Sequence, residues 1–183
     1  GLRNTLAIEG SKDLALHARS RYALRVAQAD VAALPLADGF ASVVCLLDVI
    51  EHLTDPQPAL AEARRVLAPG GRLIVTVPAH RWLWSSMDNA IGHKRRYNRR
   101  MLRRELHAAG LDVLWVTHVF SWLVAPVWWK RRARPGGQPE FGLDVSSPLI
   151  DRSALLLTRM ERALARRVPL PLGTSVLCVA TRP

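Results

Sequence analysis

Two stretches of this chain, residues 41–47 and 72–77, are almost unbroken apolar runs of strand length. A short apolar run without polar alternation fits a strand covered on both faces, as in a parallel sheet. Between the runs, Leu60, Ala63, Arg64 and Leu67 recur at helical spacing behind Asp55-Pro56, and Pro69-Gly70-Gly71 stops that helix. Strand, helix, strand in that order predicts an α/β sheet flanked by helices.

The rest of the chain has similar punctuation. Strands are expected at 5–8, 25–29, 111–116 and 174–180. Helices are expected at 12–21 behind Ser11 as N-cap, at 99–109 closed by Gly110, and at 149–167 as an amphipathic segment. Residues 79–98 are polar and aromatic without a period. Residues 120–132 read as an aromatic-rich helix or loop ending in a basic run, and 134–148 as a Gly/Pro-rich loop. No repeat recurs at a fixed period, which speaks against a solenoid.

Composition bounds the reading. With 183 residues, 49% of them hydrophobic, the chain has the length and apolar surface of one ordered domain, 1–183. Cys45 and Cys178 each sit in an apolar run and are expected to be buried thiols in a reducing compartment. Clustered Cys/His spacing is missing, so no metal is expected. The longest apolar run, 120–129, is half of the ~20 residues a membrane span needs, and Ser121 and Pro126 interrupt it. Residues 1–10 lack a basic segment followed by an apolar one, and the expected location is cytoplasmic. The net charge of +11 is either a solvated surface or the mark of an anionic partner.

Acidic residues follow three of the expected strands: Glu9, Asp30 and Asp48. In open α/β sheets the carboxyl ends of parallel strands line the ligand crevice. There one carboxylate can accept hydrogen bonds from ribose hydroxyls and another from an adenine amino group. Single strand-end acids are ordinary turn formers; three in register with strand ends are less easily explained that way.

The segment 28–53, with Leu47-Asp-Val-Ile-Glu-His-Leu53 at its end, resembles the class I S-adenosylmethionine-dependent methyltransferases, as does the Ala68-Pro-Gly-Gly-Arg-Leu73 turn. The resemblance is specific over about 50 residues and extends more loosely to Ile8-Glu-Gly-Ser11, to Gly92-His-Lys-Arg-Arg-Tyr97 and to the strand after Gly110. It implies a Rossmann-like sheet, mostly parallel, with an antiparallel C-terminal hairpin. It implies S-adenosylmethionine as cofactor, with 1–80 as the cofactor-side half and 81–183 as the acceptor-side half carrying a lid and C-terminal helices. By resemblance Glu9, with Gly10 and Ser11 beside it, holds the ribose. Asp30 and Val31 contact adenine, and Leu47 and Asp48 pass the methionine moiety. The family's first strand ends in acid-x-Gly-x-Gly-x-Gly, and this chain has no such sequence. The first βα unit is therefore expected to be missing, the chain to be an N-terminally incomplete product, and its cofactor binding to be weak or absent.

His52 and His93 are the candidate general bases, because imidazole titrates near neutrality. Glu51 could orient His52. The acceptor is expected near 79–97 and near the Trp122, Trp128, Trp129 cluster. Lys94, Arg95, Arg96, Arg99, Arg100, Arg103 and Arg104 place seven positive charges in eleven residues, as a solvated helix end or as a grip on an anionic acceptor. The tryptophans beside Lys130-Arg131-Arg132 read as a packing helix, a peripheral membrane contact or the wall of an apolar pocket. The expected acceptor is a small-molecule or lipid-like, amphiphilic compound. The competing readings are a nucleic-acid-binding protein using its basic surface and a non-catalytic remnant of the fold.

Overall fold

The structure is a computed structural model that describes residues 4–22, 25–133 and 148–183. Its strands form two sheets. β1 (Ala7–Glu9) and β2 (Val26–Gln28) pair in parallel around the crossover helix α1 (Lys12–Tyr22). β3 (Ala41–Leu47), β4 (Leu67–Pro78), β5 (Asp112–Val119) and β6 (Ser175–Thr181) form a four-stranded sheet in the order β3-β4-β6-β5. β4 runs parallel to β3 and antiparallel to β6, and β5 is antiparallel to β6. The α/β architecture and the antiparallel C-terminal pair match the sequence expectation, while parallel and antiparallel pairings are equally frequent.

The core lies on β4. Leu73, Val75 and Val77 are fully buried, and Val176, Cys178 and Ala180 of β6 meet them. Burial pushes the Cys178 thiol up to about 12, as suits an inert core residue. α2 (Gln57–Val66) covers this sheet with Ala59, Leu60, Ala63 and Val66. Asp55 starts the helix by accepting the Gln57 N–H at 3.0 Å. α4 (Arg99–Ala108) adds Leu102 and Leu106, with Asn98 capping it by accepting the Met101 N–H at 2.8 Å. Gly110, at φ +72, ends the turn after α4 in the left-handed conformation that favours glycine.

Several expectations need correction. Pro69-Gly70-Gly71 belongs to β4, which begins at Leu67 immediately after α2. The register between β3 and β4 shifts there, so the turn residues are absorbed as an irregularity in the ladder. β3 is not covered on both faces. Among the described residues it pairs only with β4, and Val43 and Leu47 are half exposed. Cys45 is exposed rather than buried for the same reason. Residues 79–98 hold two short elements, a 3-10 turn (Arg81–Leu83) and α3 (Ser86–Ala90).

Beyond β5, a 3-10 turn (Ser121–Leu123) leads into α5 (Val124–Ala133). Trp128 and Trp129 of α5 are exposed, so the packing-helix reading fails for them. α6 (Pro148–Ala165) also shows Leu155, Leu156 and Met160 to solvent. The loop expected at 134–148 lies outside the described residues except for Pro148.

Candidate functional site

Glu9 and Asp30 stand at the carboxyl end of the β1/β2 pair. A Glu9 carboxylate oxygen, Oε1, accepts the Ser11 N–H at 2.9 Å, and Ser11 Oγ caps α1 from the Leu14 N–H. Gly10 lies between these two. Asp30 is exposed, and its Oδ1 accepts the Ala32 N–H at 2.9 Å. In each carboxylate the other oxygen is a further acceptor. Val31 packs against the main core and joins this pair to the rest of the molecule.

Leu47 and Asp48 stand at the corresponding end of β3, both exposed. Asp48 adopts φ +53, a left-handed conformation that aspartate tolerates better than most residues. Its N–H donates to Thr76 of β4 at 3.0 Å, which fixes the strained residue at the strand tip. The loop between Asp30 and β3 is clamped to α2 by Arg65, which donates to the Leu34 and Leu36 carbonyls and to Asp38 and Glu62. The Arg65 guanidinium holds the Glu62 carboxyl down to about 2.

The residues present fit the adenosine half of S-adenosylmethionine, because carboxylates suited to a ribose diol and an adenine amine occupy the tips of a parallel pair. No glycine-rich turn accompanies them among the described residues.

The turn after β3 meets the segment 85–97. The Lys94 N–H donates to the Glu51 carbonyl at 2.8 Å, and Arg95 reaches the Leu53 carbonyl at 3.0 Å. This contact brings His52 and His93 together, with ring centroids 4.8 Å apart in an edge-to-face arrangement. Glu51 does not orient His52 as expected. Its carboxylate faces His93, with Oε1 3.9 Å from Nε2. Glu51 is fully buried and neither of its carboxylate oxygens has a hydrogen-bond partner. Burial pushes its carboxyl up to about 7.

The other face of His93 meets Asp88, with Nδ1 at 2.8 Å from Oδ1. Asp88 also accepts from Arg96 Nε at 2.7 Å and from the Ser85 N–H at 2.8 Å. Burial alone would raise the Asp88 carboxyl, but hydrogen bonds from Arg96 and His93 outweigh it and hold the group below its ordinary range. Sequence reasoning missed Asp88. The signal was Ser85-x-x-Asp88, a capping-box pattern, and both of its hydrogen bonds are present.

A cleft of about 830 Å³ opens beside these residues, lined by His80, Trp82, Trp84, Lys94 and Arg95 among others. The basic run divides here. Arg95, Arg96 and Arg99 hold backbone carbonyls, and Arg96 holds Asp88 as well. Lys94, Arg100, Arg103 and Arg104 are exposed.

Residues 1–75 match the family model described as a methyltransferase domain. Over those residues the chain is similar to methyltransferase domains. A "probable S-adenosylmethionine-dependent methyltransferase" of Mycolicibacterium smegmatis is 32% identical over 114 residues, 61% of this chain and 44% of that protein. A protein of the same description from Mycobacterium tuberculosis is 40% identical over 77 residues, 42% of this chain and 28% of that protein. The chain thus spans less than half the length of these relatives. The fold of the methyltransferase domain is also seen in a SAM-dependent methyltransferase from Thermotoga maritima. The TM-score is 0.61 at 20% identity, covering 98% of this chain and 73% of that one. Geranyl diphosphate C-methyltransferase from Streptomyces coelicolor gives a TM-score of 0.58 at 17% identity, covering 97% and 64%. The Rossmann-like class I fold expected from the sequence is therefore the fold of this chain. Among the described residues no helix is long and apolar enough to cross a membrane.

Proposed function

We propose that the protein transfers a methyl group from S-adenosylmethionine to a small anionic or amphiphilic acceptor. The observation that carries this reading is the position of Glu9, Asp30 and Asp48 at the carboxyl ends of parallel strands in a methyltransferase domain. Bound S-adenosylmethionine supplies a methyl group on a sulfonium that is already a good leaving group. The protein's own part is then alignment and the exclusion of water. Glu9 and Asp30 hold the adenosine by accepting hydrogen bonds. The cleft offers the acceptor aromatic faces from Trp82 and Trp84 and a cation from Lys94. His52, half-buried at the turn after β3, is the candidate to take a proton from an acceptor that must lose one. Exposed Trp128, Trp129, Leu155 and Met160, with Arg132 stacked over Trp128, support an amphiphilic acceptor met at a lipid surface.

The test is saturation-transfer NMR with S-adenosylhomocysteine at millimolar concentration. This method reads the weak binding expected of a chain without the glycine-rich turn. Transfer to the adenine and ribose protons is expected, and it should fall by at least half in Asp30→Ala and Glu9→Ala. No transfer, or transfer unchanged in both variants, overturns the reading. Micromolar affinity by calorimetry would instead overturn the expectation that binding is weak.

A further inference from the structure

We propose that Glu51, His52 and His93 form a binding site for one divalent transition-metal ion. The inference goes beyond methyl transfer and does not depend on it. The three side chains come from two segments 41 residues apart, and one ligand atom from each lies within 4.8 Å of the others. That separation is why the sequence offered no metal spacing.

Glu51 is the independent pointer to a ligand. It is fully buried, and both carboxylate oxygens lack any hydrogen-bond donor. Buried carboxylates are normally satisfied by donors or by cations. His93 Nε2 faces it at 3.9 Å. The state of that nitrogen follows from its partner. Asp88 is an acceptor held by Arg96 and by Ser85, so His93 Nδ1 carries the proton and donates to Asp88 at 2.8 Å. In the neutral imidazole Nε2 then presents a lone pair. When Glu51 is ionised, two electron-pair donors thus face each other across 3.9 Å.

A carboxylate behind the outer nitrogen of a histidine is the arrangement that orients metal-binding histidines and raises their basicity. Asp88 supplies it here, and the Lys94 N–H bond to the Glu51 carbonyl locks the two segments together. His52 adds a second imidazole, its ring 4.8 Å from that of His93. Ions of this class bind N and O ligands at about 2.0–2.2 Å, which sets neighbouring ligand atoms about 3.3 Å apart. The 3.9 Å gap between Glu51 and His93 therefore needs a small contraction, and the ligand atoms, which lie within 4.8 Å of one another, must close by up to about 1.5 Å to meet one ion. Two imidazoles and one carboxylate suit zinc, iron(II) and similar ions, and three protein ligands leave coordination positions open.

The test uses chelator-treated protein without cofactor, titrated with Co²⁺ by absorption spectroscopy and with Zn²⁺ by calorimetry. One equivalent is expected to bind, with visible d–d bands for Co²⁺ and a raised melting temperature. His52→Ala and Glu51→Gln should each weaken binding at least tenfold. Asp88→Asn should weaken it by about 10- to 100-fold, since it acts through His93. Circular dichroism of the metal-free variants checks folding; if Glu51→Gln does not fold, His52→Ala at the half-exposed position decides. Absence of saturable 1:1 uptake means that Glu51 and His93 are only an ion pair, and overturns the site. Binding unchanged in His52→Ala overturns it too. Because no cofactor is present, failure here leaves the methyl-transfer reading standing, and failure of adenosine binding leaves the metal site standing.

Discussion

Arg96 Nε lies 2.7 Å from Asp88 Oδ1, with the two side chains 7% and 1% exposed. The same guanidinium donates to the Ala79 carbonyl at 3.0 Å, at the end of β4. Asp88 is thus held charged in the interior by a residue that also ties its segment to the central strand. Removing one partner of a buried pair leaves an uncompensated charge, at a cost of about 3–5 kcal/mol. Arg96→Met should lose stability of about that size in urea denaturation. Arg96→Lys should recover only part of it, because an ammonium lacks the fork that spans Asp88 and Ala79. A loss below about 1 kcal/mol for Arg96→Met would show the pair to be solvated.

The second expectation concerns pH. His80 and His118 stack with ring centroids 4.8 Å apart, and in both the Nε2 atom is buried without a partner. Burial lowers the affinity of each imidazole for a proton. For His80 the neighbouring His118, Arg96 and Arg99 lower it further; for His118, Arg99 adds to burial while the Leu170 carbonyl partly opposes it. At these two sites the folded state therefore binds fewer protons than the unfolded chain, whose histidines titrate near 6.5, whereas at Glu51, pushed up to about 7, it binds more. The histidine contribution to stability is complete above that value and is lost as pH drops below it, while protonation of Glu51 adds stability over the same window. Measured from pH 7.5 to 5 in Glu51→Gln, which removes the opposing titration, denaturation midpoints should decline. His118→Asn, which keeps a donor for the Leu170 carbonyl but does not titrate, should flatten the decline. An unchanged profile in that variant would assign the acid lability elsewhere.

The contrast between β3 and the histidine cluster shows what a sequence carries. β3 was legible to the residue because its apolar run is local. Its exposure was not legible, since burial depends on which strands flank it. The acids Glu9, Asp30 and Asp48 were legible because each follows its own strand. The pairing of His93 with Asp88 and Glu51 was not, because it depends on how the segment after β4 folds back on the turn after β3. The basic run misled in a similar way. Charge density alone cannot separate Arg96, which faces a buried carboxylate, from Arg100, which faces water. The apolar residues of α6 gave an amphipathic period, yet several of them remain exposed among the described residues.

Gly173 offers a test of the C-terminal sheet. A Cβ built there would run into the Val119 carbonyl oxygen and lie 2.8 Å from the Val119 nitrogen, both backbone atoms. Backbone cannot rotate away as a side chain can, so the entry to β6 would have to move off the end of β5. Gly173→Ala should cost about 3 kcal/mol, at the upper end of overpacking effects. Gly92→Ala is the control: it has the same change in composition, and nothing lies within 4 Å of its Cβ. Its cost should be about 1 kcal/mol, from its positive φ alone. Equal losses in the two variants would contradict the close approach at Gly173.

The last expectation follows from the free side of β3. Among the described residues this strand pairs only with β4, while Phe40, Val43 and Leu47 are exposed by 59%, 50% and 56%. An apolar edge with unpaired N–H and C=O groups is a template for another strand. The chain should therefore self-associate at concentrations of about 100 μM, seen by light scattering. Val43→Lys places a charge at mid-edge, where its burial between two copies would be costly but its solvation on one copy is not. The variant should reduce association several-fold while leaving the unfolding transition in place, because half of the Val43 side chain is already in water. If the unaltered chain stays monomeric throughout that range, the edge does not pair with a second copy and the expectation fails. If Val43→Lys associates as strongly as the unaltered chain, contact runs through the exposed leucines of α6 instead, and Leu156→Glu should then abolish it.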